Sequence, residues 1–272
     1  MASSDNTILQ KANFGRIYDQ TDPRAYFTTL ADFDYQIPQH GAEVFDRLLR
    51  ERCKTGGAEP PTVLDLCCSY GIVTTLLNTD LSMDDLSRHY TDPSTVGLSN
   101  DALVARDTEM LRSHRRSDPV RTIGIDVAEN AVNYAVSVGA LDHGAVENLE
   151  EDDPSPELVD LLAGVDLITT TGGVGYVTGK TFDRLLRHAP PDVTVASWCL
   201  RTYDYDDISR TLDQHGLVTE QAEGTVRQRR FVSPDEQAWA EASVREHGHD
   251  PTGYEDDGYY HAELFVSRRT SG

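Results

Sequence analysis

Positive charge is what this 272-residue chain has least of: 24 Lys and Arg stand against 46 Asp and Glu, a formal net charge of −22. A field of that sign repels polyanions and argues against DNA or RNA as a partner. Two small basic groups, Arg112 with Arg115 and Arg116, and Arg227 with Arg229 and Arg230, carry too few charges to reverse it. Long apolar runs are missing too, since none approaches the ~18 residues of a membrane helix. The opening MASSDNTILQKANFG lacks the basic-then-apolar layout of a secretory signal. A soluble, cytoplasmic protein without a membrane partner is expected. The four cysteines, Cys53, Cys67, Cys68 and Cys199, include no C-x-x-C pair, so neither a metal nor a redox site is expected. Also absent is G-x-G-x-x-G, the loop that would cradle a dinucleotide pyrophosphate.

Hydrophobic content of 38% with 8% aromatics suits a globular core. Residues 1–40 are polar with scattered aromatics and are expected to form an N-terminal helical or lid segment, with a domain over 41–272. Val44, Phe45, Leu48 and Leu49 share one face of a helix over 41–52. Apolar strand patterns follow at 62–66, 121–127, 165–171, 193–201 and 261–268, with one strand or a hairpin near 217–231. Helical patterns separate most of them. Such alternation predicts a mainly parallel sheet covered on both faces. Residues 79–120 form a polar, helix-like insertion, and 61 positions separate Asp65 from Asp126 where one strand–helix–strand step needs about 30 residues. The insertion is expected either to cover the active site as a lid or to decorate the surface.

Chemistry concentrates where the strand 62–66 runs into Cys67-Cys68-Ser69-Tyr70-Gly71 and then a helix. In open parallel sheets, ligands sit beyond the carboxyl ends of the strands where strand order reverses. Asp126 ends the next strand, and an acid there can accept from both hydroxyls of a ribose. Asp65 beside the turn repels phosphate and favours an ammonium or sulfonium ligand.

VLDLCCSYG resembles the first motif of the class I S-adenosylmethionine-dependent methyltransferases, commonly two hydrophobics followed by Asp-x-Gly-x-Gly-x-Gly. GIDVAENAVNYA (124–135) is similar to that family's second motif. AVENLE (145–150) and VDLITTTGG (165–173) resemble its adenine border and fourth-strand motif. The resemblance covers roughly residues 41–220. It implies a Rossmann-like α/β fold with a mainly parallel seven-stranded sheet, and S-adenosylmethionine as cofactor. Carried over by position, Asp65 lies near the methionine ammonium, and Asp126 with Val127 lies at the ribose. Gly71 is the last glycine of the motif, and Glu147, Asn148 and Leu149 lie at the adenine edge. Tyr70, Thr171 and Gly172 border the same ligand.

Cys67 and Ser69 occupy the two earlier glycine positions, so the loop is not expected to use positive φ freely there. Either the turn keeps ordinary dihedrals, with Cys67 against the cofactor and the Ser69 hydroxyl bonding it, or the methionine tail lies differently. The Asn/Asp-Pro-Pro-Tyr signature of amide and base methylation is absent, which again points away from nucleic acid. Tyr176, on a Gly-rich loop, is a candidate for the sulfonium or the acceptor. His40 and His261 are candidate bases. Tyr18, Tyr26 and Tyr35 could close over the substrate, and Arg201 could bind a carboxylate bidentately. The expected function is methyl transfer to a small molecule. Two alternatives remain: closure of the cofactor's own aminobutyrate chain to a small-ring amino acid such as azetidine-2-carboxylate, releasing methylthioadenosine, and a non-catalytic cofactor-binding protein.

Overall fold

The computed structural model describes residues 15–53 and 60–270. The first fourteen residues of the expected N-terminal segment therefore lie outside the described residues. Among the described residues, eight strands follow in chain order: β1 (Thr62–Leu66), β2 (Arg121–Asp126), β3 (His143–Val146), β4 (Leu167–Thr171), β5 (Thr194–Leu200), β6 (Val218–Gln221), β7 (Val226–Arg230) and β8 (Tyr259–Arg268). They form one sheet in the order β3-β2-β1-β4-β5-β8-β6, with β7 also paired to β8. β1 to β5 run parallel, and β8 is antiparallel to β5, β6 and β7.

The segment near 217–231 is neither a single strand nor a hairpin. β6 pairs with Phe265–Arg268 and β7 with Tyr259–Ala262, so the two are successive pieces of one broken edge lying along β8. The sheet thus has the seven strand positions expected, with eight segments.

Period-2 alternation sends successive strand residues to opposite faces. Val63, Leu167, Ala196 and Leu264 join one buried cluster, while Leu64, Ile123, Ile168 and Val195 join the other. Helices cover both. Against the first face lie α2 (Ile37–Cys53), α3 (Ile72–Asn78), α7 (Glu129–Val138) and α11 (Pro234–Glu246), contributing Phe45, Val73, Val132 and Ala240. Against the second lie α8 (Pro156–Leu162), α9 (Gly179–Leu186) and α10 (Asp206–Gln214), contributing Leu158, Phe182 and Leu212. Helix α2 starts at Ile37 with Pro38 in its first turn, a position that needs no amide hydrogen, so it crosses residue 40.

The insertion folds as α4 (Met83–Thr91), the short α5 (Pro93–Val96) and α6 (Asn100–Ser113), preceded in the chain by α1 (Arg24–Ala31). Ser82 and Asp85 close a capping box at the start of α4. Tyr90 stacks on Phe27 of α1 at 4.6 Å. The guanidinium of Arg24 donates to the carbonyls of Val96 and Leu98, each at 2.9 Å. Asp107, fully buried, accepts from the hydroxyls of Tyr90 (2.7 Å) and Tyr134, and lies 2.6 Å from His89 Nε2. A buried carboxylate with three partners is satisfied rather than costly. The insertion is thereby fastened to α7 and to the N-terminal segment.

Candidate functional site

β1 has β2 on one side and β4 on the other, so strand order reverses at the carboxyl ends of β1 and β4. A cavity of about 810 Å³ opens there, within the range of small-molecule sites. Asp65 and Cys67 come from β1 and its turn, Asp126 and Val127 from the end of β2, and Thr171 to Gly173 from the end of β4. Tyr18, Tyr26 and Tyr35 close it from the N-terminal segment.

The turn after β1 departs from the expectation of ordinary dihedrals. Cys67 has φ 62°, Ser69 φ 47° and Gly71 φ 66°. All three motif positions are left-handed, and at two of them the residue is not glycine. Several hydrogen bonds hold the turn so. The amides of Cys67 and Cys68 both donate to the Ile125 carbonyl (2.8 and 3.2 Å), and Ser69 N–H donates to Asp126 Oδ2 (2.8 Å). Each left-handed non-glycine residue costs about 1–2 kcal/mol. Gly173 accommodates the result, because a Cβ there would lie 2.8 Å from the Cys67 sulfur.

Asp65 is 2% exposed and accepts from Thr169 Oγ1 at 3.1 Å. Burial pushes its carboxyl up to about 7; the Thr169 bond pulls it down and the nearby Asp126 raises it further. Asp126 accepts Ser69 N–H on one oxygen and Ala128 N–H on the other (3.0 Å), which leaves acceptor capacity on both. Burial raises the phenols of Tyr18 and Tyr26 well above 10, Tyr35 to about 12 and Tyr203 to about 12. At neutral pH these side chains are rings and hydrogen-bond partners, not phenolate bases. Tyr176 also lines the cavity. Its loop needs Gly175 at φ 104°, where a Cβ would meet the Tyr203 ring at 2.7 Å.

Several expected site residues are engaged elsewhere. Tyr70 reaches the N-terminal segment: its hydroxyl accepts Gln20 N–H (2.8 Å) and donates to the carbonyl of Ile17 or Gln20 (3.1 Å each). Gly71 caps α3. Glu147 binds Ser155 at the start of α8 through its amide (3.1 Å) and hydroxyl (2.6 Å). Asn148 turns back on the amide of Glu150, and Leu149 is buried in the second cluster. None of the five is in the cavity wall. Arg201 is 5% exposed and turned away, paired with Glu255 (2.8 Å), donating to the Asp250 carbonyl and stacked 4.0 Å from the Tyr254 ring centroid. It is not among the residues of the cavity wall. His40 sits half-buried on α2 outside the wall. His261 is also outside, between Thr225 and Asp257, and burial lowers its pKa. No residue of 79–120 lines the cavity, and the insertion packs against the N-terminal segment.

The C-terminal wall was not foreseen. Gln228 sits where the β7–β8 register slips between Arg227 and Arg229, a bulge that re-aims a side chain. Arg229 lines the cavity, yet its guanidinium is bound by both oxygens of Glu236 (3.1 and 2.8 Å). His247 borders the cavity, and its Nδ1 lies 2.7 Å from the Ser243 carbonyl. A carbonyl only accepts, so Nδ1 donates there, and Nε2 is the ring nitrogen left for a ligand. Four wall residues keep a buried polar atom without a hydrogen-bond partner: Ser69 Oγ, Thr171 Oγ1, Thr202 Oγ1 and Gln228 Oε1. Such groups are costly unless something bonds them. A polar ligand fits here.

No protein-family model matches the chain, and no curated protein matches it. Solved structures do. It is similar to a S-adenosylmethionine-dependent methyltransferase of Aquifex aeolicus, at 17% identity over 95% of this chain and 100% of that one, with TM-score 0.42. It is also similar to the precorrin-6y C5,15-methyltransferase of Geobacter metallireducens (12%, 84% and 86%, TM-score 0.43). A third is the magnesium protoporphyrin IX methyltransferase of Synechocystis PCC 6803 (12%, 84% and 79%, TM-score 0.40). At such scores the likeness adds nothing to what strand order and site geometry already establish.

Proposed function

We propose that this chain is a S-adenosylmethionine-dependent methyltransferase acting on a small molecule. The observation that carries the reading is the turn between Asp65 and Asp126, left-handed at positions 67, 69 and 71 although only the last is glycine. That backbone is the one the resembled first motif needs, and here it exists without the glycines that make it easy.

In this reading the bound cofactor supplies a methyl group activated on a sulfonium. Asp126, still able to accept on both oxygens, takes the ribose hydroxyls. Asp65 offers a buried carboxylate to an ammonium, whose charge would draw its raised pKa back down. The tyrosines at 18, 26, 35, 176 and 203 surround a cation with aromatic faces and exclude water. His247 Nε2 can take a proton from an acceptor's O–H or N–H. The segment 147–149 lies outside the cavity wall, and this reading assigns it no contact with the adenine.

One observation favours the cyclisation reading beside it. Asp65 is a buried carboxylate in the cavity wall, placed to accept the proton that intramolecular ring closure must remove from the cofactor's amine, a proton that transfer to a separate acceptor leaves in place. Incubation with S-adenosylmethionine, with and without a small-molecule extract, followed by mass spectrometry, separates the readings. S-adenosylhomocysteine that appears only with the extract supports methyl transfer. Methylthioadenosine formed from the cofactor alone overturns it in favour of cyclisation. Neither product, with binding intact, leaves a cofactor-binding protein.

A further inference from the structure

The C-terminal wall of the cavity is rich in groups that accept hydrogen bonds and poor in positive charge. Gln228 is 5% exposed, and its Oε1 is buried without a partner. Its side-chain nitrogen lies 3.0 Å from where a Cβ on Gly172 would stand, so the carboxamide is aimed at the cavity end of β4. Thr202, 2% exposed, also keeps a buried hydroxyl without a partner. Helix α11 ends at the same wall, where Ser243, Glu246 and His247 line the cavity and share one helical face by their i, i+3 and i+4 spacing. Glu246 is exposed and makes no ion pair or hydrogen bond with a described residue. The carbonyl end of a helix carries partial negative charge and favours a cation. Among the described residues, the lining holds four acids, Asp19, Asp65, Asp126 and Glu246, against one arginine. That arginine, Arg229, is already bound by both oxygens of Glu236.

We infer that the methyl acceptor is a small molecule carrying a protonated amine and no carboxylate or phosphate. Its ammonium group sits against the C-terminal wall, drawn by the Glu246 carboxylate at the rim, and its hydrogen-bond donors reach Gln228 Oε1 further in. This rests on the reading of the cavity as the site of a methyltransferase. The chemistry is complementary. An alkylammonium has three N–H donors and no acceptor, which suits a wall of oxygens lacking partners. An anionic acceptor would instead face the four acids with the one guanidinium already spent, and like charges brought together in a site weaken binding strongly. Tyrosine rings in the same lining add attraction for a cation and none for an anion.

The test is calorimetry at low salt on the full chain saturated with S-adenosylhomocysteine, using three matched probes: phenethylamine, 2-phenylethanol and 3-phenylpropanoate. Wild type should bind the amine at least ten-fold more tightly than the carboxylate. Glu246→Gln, a change at an exposed side chain, should weaken the amine about two- to five-fold, as for one exposed ion pair. The same variant should hold the alcohol and S-adenosylhomocysteine as wild type does. Gln228→Met removes the buried acceptor oxygen and should weaken amine and alcohol alike, by about five-fold. A carboxylate that binds as tightly as the amine, or an amine that never saturates the site, overturns the inference. So does a Glu246→Gln variant that keeps full affinity for the amine, or one that loses amine and alcohol equally. If wild type does not bind S-adenosylhomocysteine, or forms methylthioadenosine from S-adenosylmethionine alone, the methyltransferase reading itself fails. Those results are seen before any probe is added and are distinct from the others.

Discussion

Replacing Asp65 with asparagine should stabilise the protein at alkaline pH while damaging its site. The wild-type carboxyl lies near 7 in the fold, against an ordinary value of 3.8. Between those values the unfolded chain has released the proton and the folded chain still holds it, so stability falls as pH rises. The penalty is complete only above pH 7. At about 1.4 kcal/mol per pH unit, wild type should lose about 3 kcal/mol between pH 5 and pH 8 through this one group. Asparagine cannot ionise, and it still accepts the Thr169 hydroxyl that bonds Asp65 at 3.1 Å. Its NH2 group, if left unpaired, costs about 1–3 kcal/mol at every pH. The informative quantity is therefore the change in the wild-type–variant difference between the two pH values. Urea unfolding at pH 5 and pH 8 measures it directly, and the variant should gain about 3 kcal/mol on wild type over that interval. The variant should also bind S-adenosylhomocysteine at least ten-fold more weakly, having lost the carboxylate opposite the ammonium. A difference that does not move with pH would mean that Asp65 is ionised throughout, and the argument from burial would be wrong.

Tyr70→Phe removes the hydroxyl that holds Gln20 and Ile17. Amides at 17–20 should exchange faster, and ligand dissociation should speed up several-fold, as expected for about 1–2 kcal/mol of lost anchoring. Arg201→Ala leaves Glu255 buried without its cation and should destabilise by about 3–5 kcal/mol. Ligand affinity in the fraction that remains folded should be unchanged, and a selective loss of binding would return Arg201 to the site. Ligand binding should protect amides at 65–71 from exchange and leave those at 83–113 as they were, because the insertion lies outside the cavity wall.

What was legible in the sequence were features that depend on local pattern. Apolar runs at 62–66, 121–127 and 165–171 mark buried parallel strands wherever they fall, and acids at their ends reach the same edge of the sheet. The positions of Asp65 and Asp126 therefore follow from the sequence pattern. The loop between them does not. Nothing in Cys-Cys-Ser-Tyr-Gly announces positive φ, because the left-handed backbone is imposed by bonds to Ile125 and Asp126, partners more than fifty positions away. The pairing of Arg201 was hidden for a related reason. A strand-end position does not reveal which buried acid is waiting, and Glu255 lies 54 positions further on. Glu147 looked like an adenine contact but was needed by Ser155 as a helix-start partner. Gln228 and His247 left no local signal. One depends on a bulge against β8 and the other on the end of α11, and both reach the cavity only through tertiary packing.

The central claim is that this cavity holds S-adenosylmethionine through Asp126 at the end of β2. Calorimetric titration of S-adenosylhomocysteine into wild type and into Asp126→Ala tests it most directly. Wild type should show one saturable site, and the variant should bind about 2–3 kcal/mol more weakly, having lost a charged acceptor of two hydrogen bonds. Heat that never saturates in wild type, or equal affinity in a folded Asp126→Ala, would contradict it.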